Sequence, residues 1–93
     1  MTHEGDEIDL KAATNRILAV KQVYEDELLS KPNVVGVAIG YRQTSGRTTD
    51  TLALVVMVTK KVLQNTLDPE DQIPISLEGI PVDVLEVGEI TAD

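Results

Sequence analysis

The chain has 93 residues, a net charge of -8, no Cys, no Trp or Phe, two Tyr and a single His. That length allows one hydrophobic core and no second domain, and the Cys-free sequence excludes disulfides and thiolate metal sites. No run approaches the roughly 20 apolar residues of a membrane span, and the acidic start MTHEGDEIDL does not have the basic and apolar composition of a secretory signal, so a cytoplasmic protein without membrane contact is expected.

The first expected element is a helix. Residues 1–7 read as a mobile, Gly- and acid-rich stretch, 8–90 as one domain and 91–93 as a tail. From Leu10, the residues Ala13, Ile17, Val20, Tyr24 and Leu28 recur at spacings of three or four, which places them on one helical stripe. Asp6 or Asp9 suits the start as a cap, and the acids of the first turn suit the positive end of the helix dipole. Pro32 disfavours helical geometry at Lys31, so the helix should end near Ser30.

A hairpin follows. In VVGVAIGYR, simple alternation sends Val35, Val37, Ile39 and Tyr41 to one face and Val34, Gly36, Ala38 and Gly40 to the other. A Gly/Ala face usually means that a helix or another backbone approaches closely. The turn around Gly46 leads to TLALVVMVTK, apolar on both faces: Leu52, Leu54, Val56 and Val58 against Ala53, Val55 and Met57. One helix covers one face only, so the second needs another cover.

The segment from Val62 to Gly79 supplies a candidate cover through Val62, Leu63, Leu67, Ile73, Ile75 and Leu77. Asp68-Pro69-Glu70 reads as a cap followed by one helical turn. Pro74 and Pro81 favour edge or irregular positions, and Ile73 to Leu77 is a candidate for a short edge strand. In IPVDVLEVGEI, Val82, Val84 and Glu86 alternate with Asp83, Leu85 and Val87, a last strand with one partly wet face beside either hairpin strand. The expected fold is therefore α+β: one long N-terminal helix packed on a small, mainly antiparallel sheet of three to four strands.

Little in the chain points to catalysis. His3 stands alone in the terminal stretch, so a catalytic triad or a histidine metal site lacks its raw material. Ser30, Ser45 and Ser76 fall at turns and boundaries, where capping is the ordinary role. Asp68, Glu70 and Asp71 lack the ligand spacing of a calcium loop and read as solvated acids, and Gly36 and Gly40 lie in a strand rather than a phosphate loop. Hydrolysis by carboxylates alone needs two of them converging in a pocket, whereas the acids here are mostly in turns and termini. The chain is thus expected not to be an enzyme and to need no cofactor or metal.

Charge is unevenly spread. Residues 1–30 carry -4, residues 31–61 carry +4 through Lys31, Arg42, Arg47, Lys60 and Lys61 against Asp50 alone, and residues 62–93 carry -8. The basic island reads as a docking site for an acidic partner or, more ordinarily, as a counterweight to the acidic tail of the same molecule. Nucleic acid is not expected as a ligand, because the total charge opposes phosphate and only Tyr24 and Tyr41 are available for stacking.

The series LLSKPNVVGVAIGYR, TDTLALVVMVTKKV and LDPEDQIPISLEGIPVDVLEVGEI resembles the N-terminal accessory module that precedes trypsin-like serine peptidase domains in some bacterial proteins, and it spans most of the chain from Leu28 to Ile90. The resemblance implies a non-catalytic accessory domain, with no peptidase residue to carry over. Its expected partner is a peptidase-type domain or another copy of itself, docked on Ala53, Val55 and Met57 with Arg42, Lys60 and Lys61 on the rim. The alternative is a peptide-binding or pro-domain-like module that uses an exposed strand edge.

Overall fold

The computed structural model describes the backbone of residues 4–88 and the side chains of residues 10–88. The first element is helix α1, Glu4–Leu29. It begins before both candidate caps, so Asp6 and Asp9 lie within the helix rather than at its start; of the stretch expected to be mobile, residues 4–7 are helical backbone, while residues 1–3 and the tail 91–93 lie outside the described residues. The C-terminal end falls where Pro32 demands. Ser30 Oγ donates to the Glu27 carbonyl at 2.6 Å, and the Lys31 amide closes a last turn on Leu28 at 3.1 Å, satisfying carbonyls that the helix itself leaves free.

The hairpin comprises β1, Val34–Thr44, and β2, Arg47–Val58. Ser45 and Gly46 join them with φ of 51° and 77°, the left-handed pair of a two-residue hairpin turn whose twist matches the strands. After β2, a crossover with two single 3-10 turns, Gln64–Thr66 and Pro69–Asp71, leads to β3, Ser76–Leu77, and β4, Ile80–Glu86. The second turn is the one that Asp68-Pro69-Glu70 foretells, although the Asp68 side chain makes no capping bond.

The sheet order is β1-β2-β4-β3. β1/β2 and β3/β4 pair antiparallel, and β2/β4 pair parallel. The α+β fold with one helix on a four-stranded, mixed sheet agrees with the sequence. A parallel β2/β4 pair requires a long connection, because its chain must return to the starting end of the sheet, and the Pro-punctuated crossover performs that return.

One face of the sheet carries the core. Ile17, Val20 and Leu28 of α1 are buried against Val34, Val37, Leu54, Val56 and Val58 of the hairpin, together with Ile73 and Ile80. The alternation expected for β1 is broken at its start. A register shift between Val34 and Gly36 sends Val34 into the core and leaves Val35 at 43% exposure. Beyond the bulge, Val37 and Ile39 share one face as the alternation groups them, and that face is the core one.

The crossover sits on the helix side. Ile73 is buried in the core, and Lys31 Nζ donates to the Glu70 carbonyl at 2.7 Å, tying the second 3-10 turn to the end of α1. Gln64 Oε1 accepts the Ile73 amide at 2.6 Å and closes the crossover on itself. At the far end, Arg16 donates to the Glu78 carbonyl at 3.4 Å. The crossover therefore seals the face that α1 already covers and does not supply the second cover.

The β3–β4 turn gives a direct test of backbone strain. Glu78 and Gly79 have φ of 50° and 81°, and a Cβ added at Gly79 would meet Arg16 Nη2 at 3.2 Å. Gly79→Val is expected to cost about 1–3 kcal/mol, because a β-branched residue is strained at that φ. Urea titration checks this against Gly36→Ala, whose added Cβ meets the movable end of Met57 and should have a smaller effect.

Candidate functional site

The second face of the sheet is assembled from three strands. β1 contributes Gly36, Ala38 and Gly40, which stand opposite Met57, Val55 and Ala53 of β2. β4 contributes Asp83 and Leu85, opposite Val55 and Met57 in the parallel register. The small residues of β1 make room for side chains of the neighbouring strand: a Cβ on Gly36 would lie 2.6 Å from Met57 Cε, and one on Gly40 would lie 3.2 Å from Val55 Cγ2. The close approach that the Gly/Ala stripe signals is thus made by Met57 and Val55 rather than by a helix or another backbone.

A shallow groove of about 290 Å³ runs over this face, lined by Ala38, Gly40, Val55, Met57, Asp83 and Leu85. Its shape depends on the far end of the hairpin. A second register shift, between Tyr41 and Gln43, bends β1 there. The Gln43 amide reaches across β2 to donate to Asp83 Oδ2 at 2.9 Å, although β1 and β4 are not neighbours. That bond ties the end of β1 to the one carboxylate lining the groove.

The residues singled out from the sequence separate on this frame. Val55 and Met57 are partly exposed and form the middle of the open face. Ala53 points to the same face but is 0% exposed, so it lies beneath the surface and is not available for docking. Arg42 is exposed at the second bulge, where its carbonyl accepts Thr49 Oγ1 at 2.7 Å. Lys60 and Lys61 follow the other end of β2, roughly 25–30 Å away at the rise of a strand. They border a separate cavity of about 330 Å³ together with Pro32, Val58, Leu67 and Ile73. The Lys61 amide donates to Glu86 Oε1 at 2.7 Å. The basic residues therefore do not form one rim around the groove.

Leu85 and Ala38 belong to the face and were not among the candidates. Their signal is the partly wet alternation of the last strand and the small-residue phase of β1; what joins them to Met57 is the register, which no local pattern contains. His3 lies outside the described residues. Among the described residues, no group of three or more His, Asp or Glu is arranged to hold a metal ion, and no helix is long and apolar enough to cross a membrane.

With this geometry in hand, comparison with known proteins places the chain. The family model of the NARROW LEAF 1 N-terminal domain matches residues 11–87, which is most of the sequence, and the chain belongs to that family. No curated protein matches. The match corrects the resemblance to a bacterial peptidase-accessory module: the motifs from Leu28 to Val87 fall within the match to a plant protein family, and neither a bacterial origin nor a peptidase association carries over.

Proposed function

We propose that this member of the NARROW LEAF 1 N-terminal domain family is a non-catalytic protein-interaction domain that assembles with copies of itself through the open face of its sheet. The observation that carries the reading is the placement of α1 and the crossover on one face, which leaves Val55, Met57 and Leu85 uncovered on the other. Two such faces suit one another. Sheets stack about 10 Å apart with their side chains interdigitated, and an isologous pair needs only one self-complementary patch. The groove's carboxylate, Asp83, accepts the Gln43 amide, a hydrogen bond that offsets part of the cost of stacking over it without neutralising its charge. A cytoplasmic setting is part of the same reading.

Light scattering across a wide concentration range tests the assembly. The mass should exceed the 10.1 kDa of one chain and rise with protein concentration. It should also rise with salt, because screening relieves the repulsion between chains of charge -8. A single-chain mass from micromolar to millimolar protein would overturn the reading.

A further inference from the structure

The sheet has a second unsatisfied boundary, independent of its open face. β1 is an edge strand, so one side of its backbone has no strand beside it. Two hydrogen bonds identify the groups on that side. Val87 N donates to the Val58 carbonyl at 2.8 Å, and Thr59 N donates to the Asn33 carbonyl at 2.8 Å. In β2, therefore, the even-numbered residues from Leu52 to Val58 turn their backbone groups toward β4, and the odd-numbered ones turn theirs toward β1. Gly36, Ala38 and Gly40 face those odd-numbered partners in the ladder. The N–H and C=O groups of Val37, Ile39 and Tyr41 consequently point outward.

The regular part of this edge lacks the charges and Pro that commonly protect one. Monomeric proteins guard a long edge with charges, Pro or a covering element, yet the run from Val34 to Tyr41 contains neither a charge nor a Pro. Register shifts at Val34/Gly36 and Tyr41/Gln43 bound the regular part at both ends. They limit a partner strand to one short register, which suits a single defined contact better than open-ended fibre growth.

We infer that β1 pairs antiparallel with β1 of a second copy about a two-fold axis through Ile39, joining the two sheets edge to edge. Centred there, Ile39 bonds Ile39 of the second copy, and Val37 bonds Tyr41 of the second copy in both directions. All the outward groups are satisfied by about six backbone hydrogen bonds. An axis moved to Val37 or Tyr41 would bring one of the bulges into the ladder.

The helix supports the same partner. Arg16 reaches the β3–β4 turn, so that flank of α1 faces the opposite edge of the sheet. Leu18 and Leu29 lie roughly 140–160° around the helix from Arg16, on the outer part of the β1 side, above the Lys21–Glu25 ion pair that stands nearer the sheet. They are 42% and 41% exposed. A two-fold axis normal to the sheet sets both helices on the same side, where these flanks meet over the new strand pair. The regular part of the edge, Gly36 to Tyr41, measures about 20 Å along β1 and about 20 Å through sheet and helix, or roughly 400 Å². That is about half of the roughly 800 Å² per partner of a standard interface, which suits a pair that forms only as concentration rises. An extended peptide from another protein would satisfy the backbone edge but would leave Leu18 and Leu29 bare.

Amide hydrogen exchange by NMR on the full chain, read beside its mass, tests the contact. The amides of Val37, Ile39 and Tyr41 should slow at least tenfold as concentration rises and a pair forms. Leu18→Lys combined with Leu29→Lys changes exposed positions only; it should keep the circular dichroism spectrum, lower the mass and return the three amides to fast exchange. Met57→Asp, which acts on the open face, should leave their protection in place even where it lowers the mass. Fast exchange at all three positions in an assembled sample would overturn the edge contact while leaving open-face assembly standing. Protection that arises only on adding a strand-forming peptide to the single chain would overturn it in favour of a foreign peptide.

Discussion

Replacing Leu54 by Ala is expected to lower the free energy of unfolding by about 3–4 kcal/mol, the upper part of the range for deleting a leucine side chain from a packed core. Leu54 is 0% exposed and stands in the sheet between Ile39 of β1 and Val82 of β4, beneath the helix stripe. Strands on both sides hold its surroundings apart, so the site cannot collapse to fill the space. A chain of this length has a total stability on the order of 5–14 kcal/mol, and the loss is a large share of it. Urea denaturation followed by circular dichroism reads this as a lower midpoint with an unchanged slope. Val35→Ala is the informative comparison, since plain alternation places that side chain in the core and the bulge places it at the surface. It should cost no more than about 1 kcal/mol. Equal losses at the two positions would contradict the register described for β1.

Met57→Asp is expected to change the assembly rather than the fold. The side chain lies over Gly36 and stands opposite Leu85 in the middle of the open face. A carboxylate there stays hydrated in the single chain, at a cost of about 1–2 kcal/mol in lost packing, but it must be stripped of water when two faces stack. Burial of an unpaired charge opposes association by several kcal/mol, so the mass should fall while the circular dichroism spectrum is retained. Val55 is the less clean position, because an Asp there would face Asp83 and add repulsion within the chain. If the edge contact of β1 also operates, the Met57→Asp protein stops at a two-chain mass. With both contacts intact, the two perpendicular two-fold axes close into a four-chain arrangement where they intersect and extend into a filament where they do not. An unchanged mass in a well-folded Met57→Asp protein would remove the open face from consideration as an interface.

The helix and the hairpin turn were legible because their causes are local. Ile17, Val20 and Leu28 recur with the helical period and are buried on one stripe. Gly46 occupies a left-handed turn position that favours glycine. The phase of β1 was legible only beyond its bulge, since an inserted residue inverts the alternation without any compositional mark. The doubly apolar character of β2 was legible in its sequence, whereas the separation of the cations proposed as its rim was not. Arg42 and Lys60 are near neighbours of the hairpin in composition, yet an extended strand carries them to opposite ends.

By itself, the sequence determined the α+β class, the long helix, the two apolar faces of β2 and the scarcity of catalytic side chains. These follow from periodicity and residue chemistry, which operate within a few residues. Only the tertiary structure decided that β4 runs parallel to β2, that the crossover joins α1 on one face, and that Leu85 and Met57 share the other. Each of these depends on where the chain returns after the crossover, and that choice is made by the burial of Ile73 and Ile80 beside a helix distant in sequence. Long-range burial selects among returns that local patterns leave equally allowed, and here it leaves one face and one edge of the sheet open.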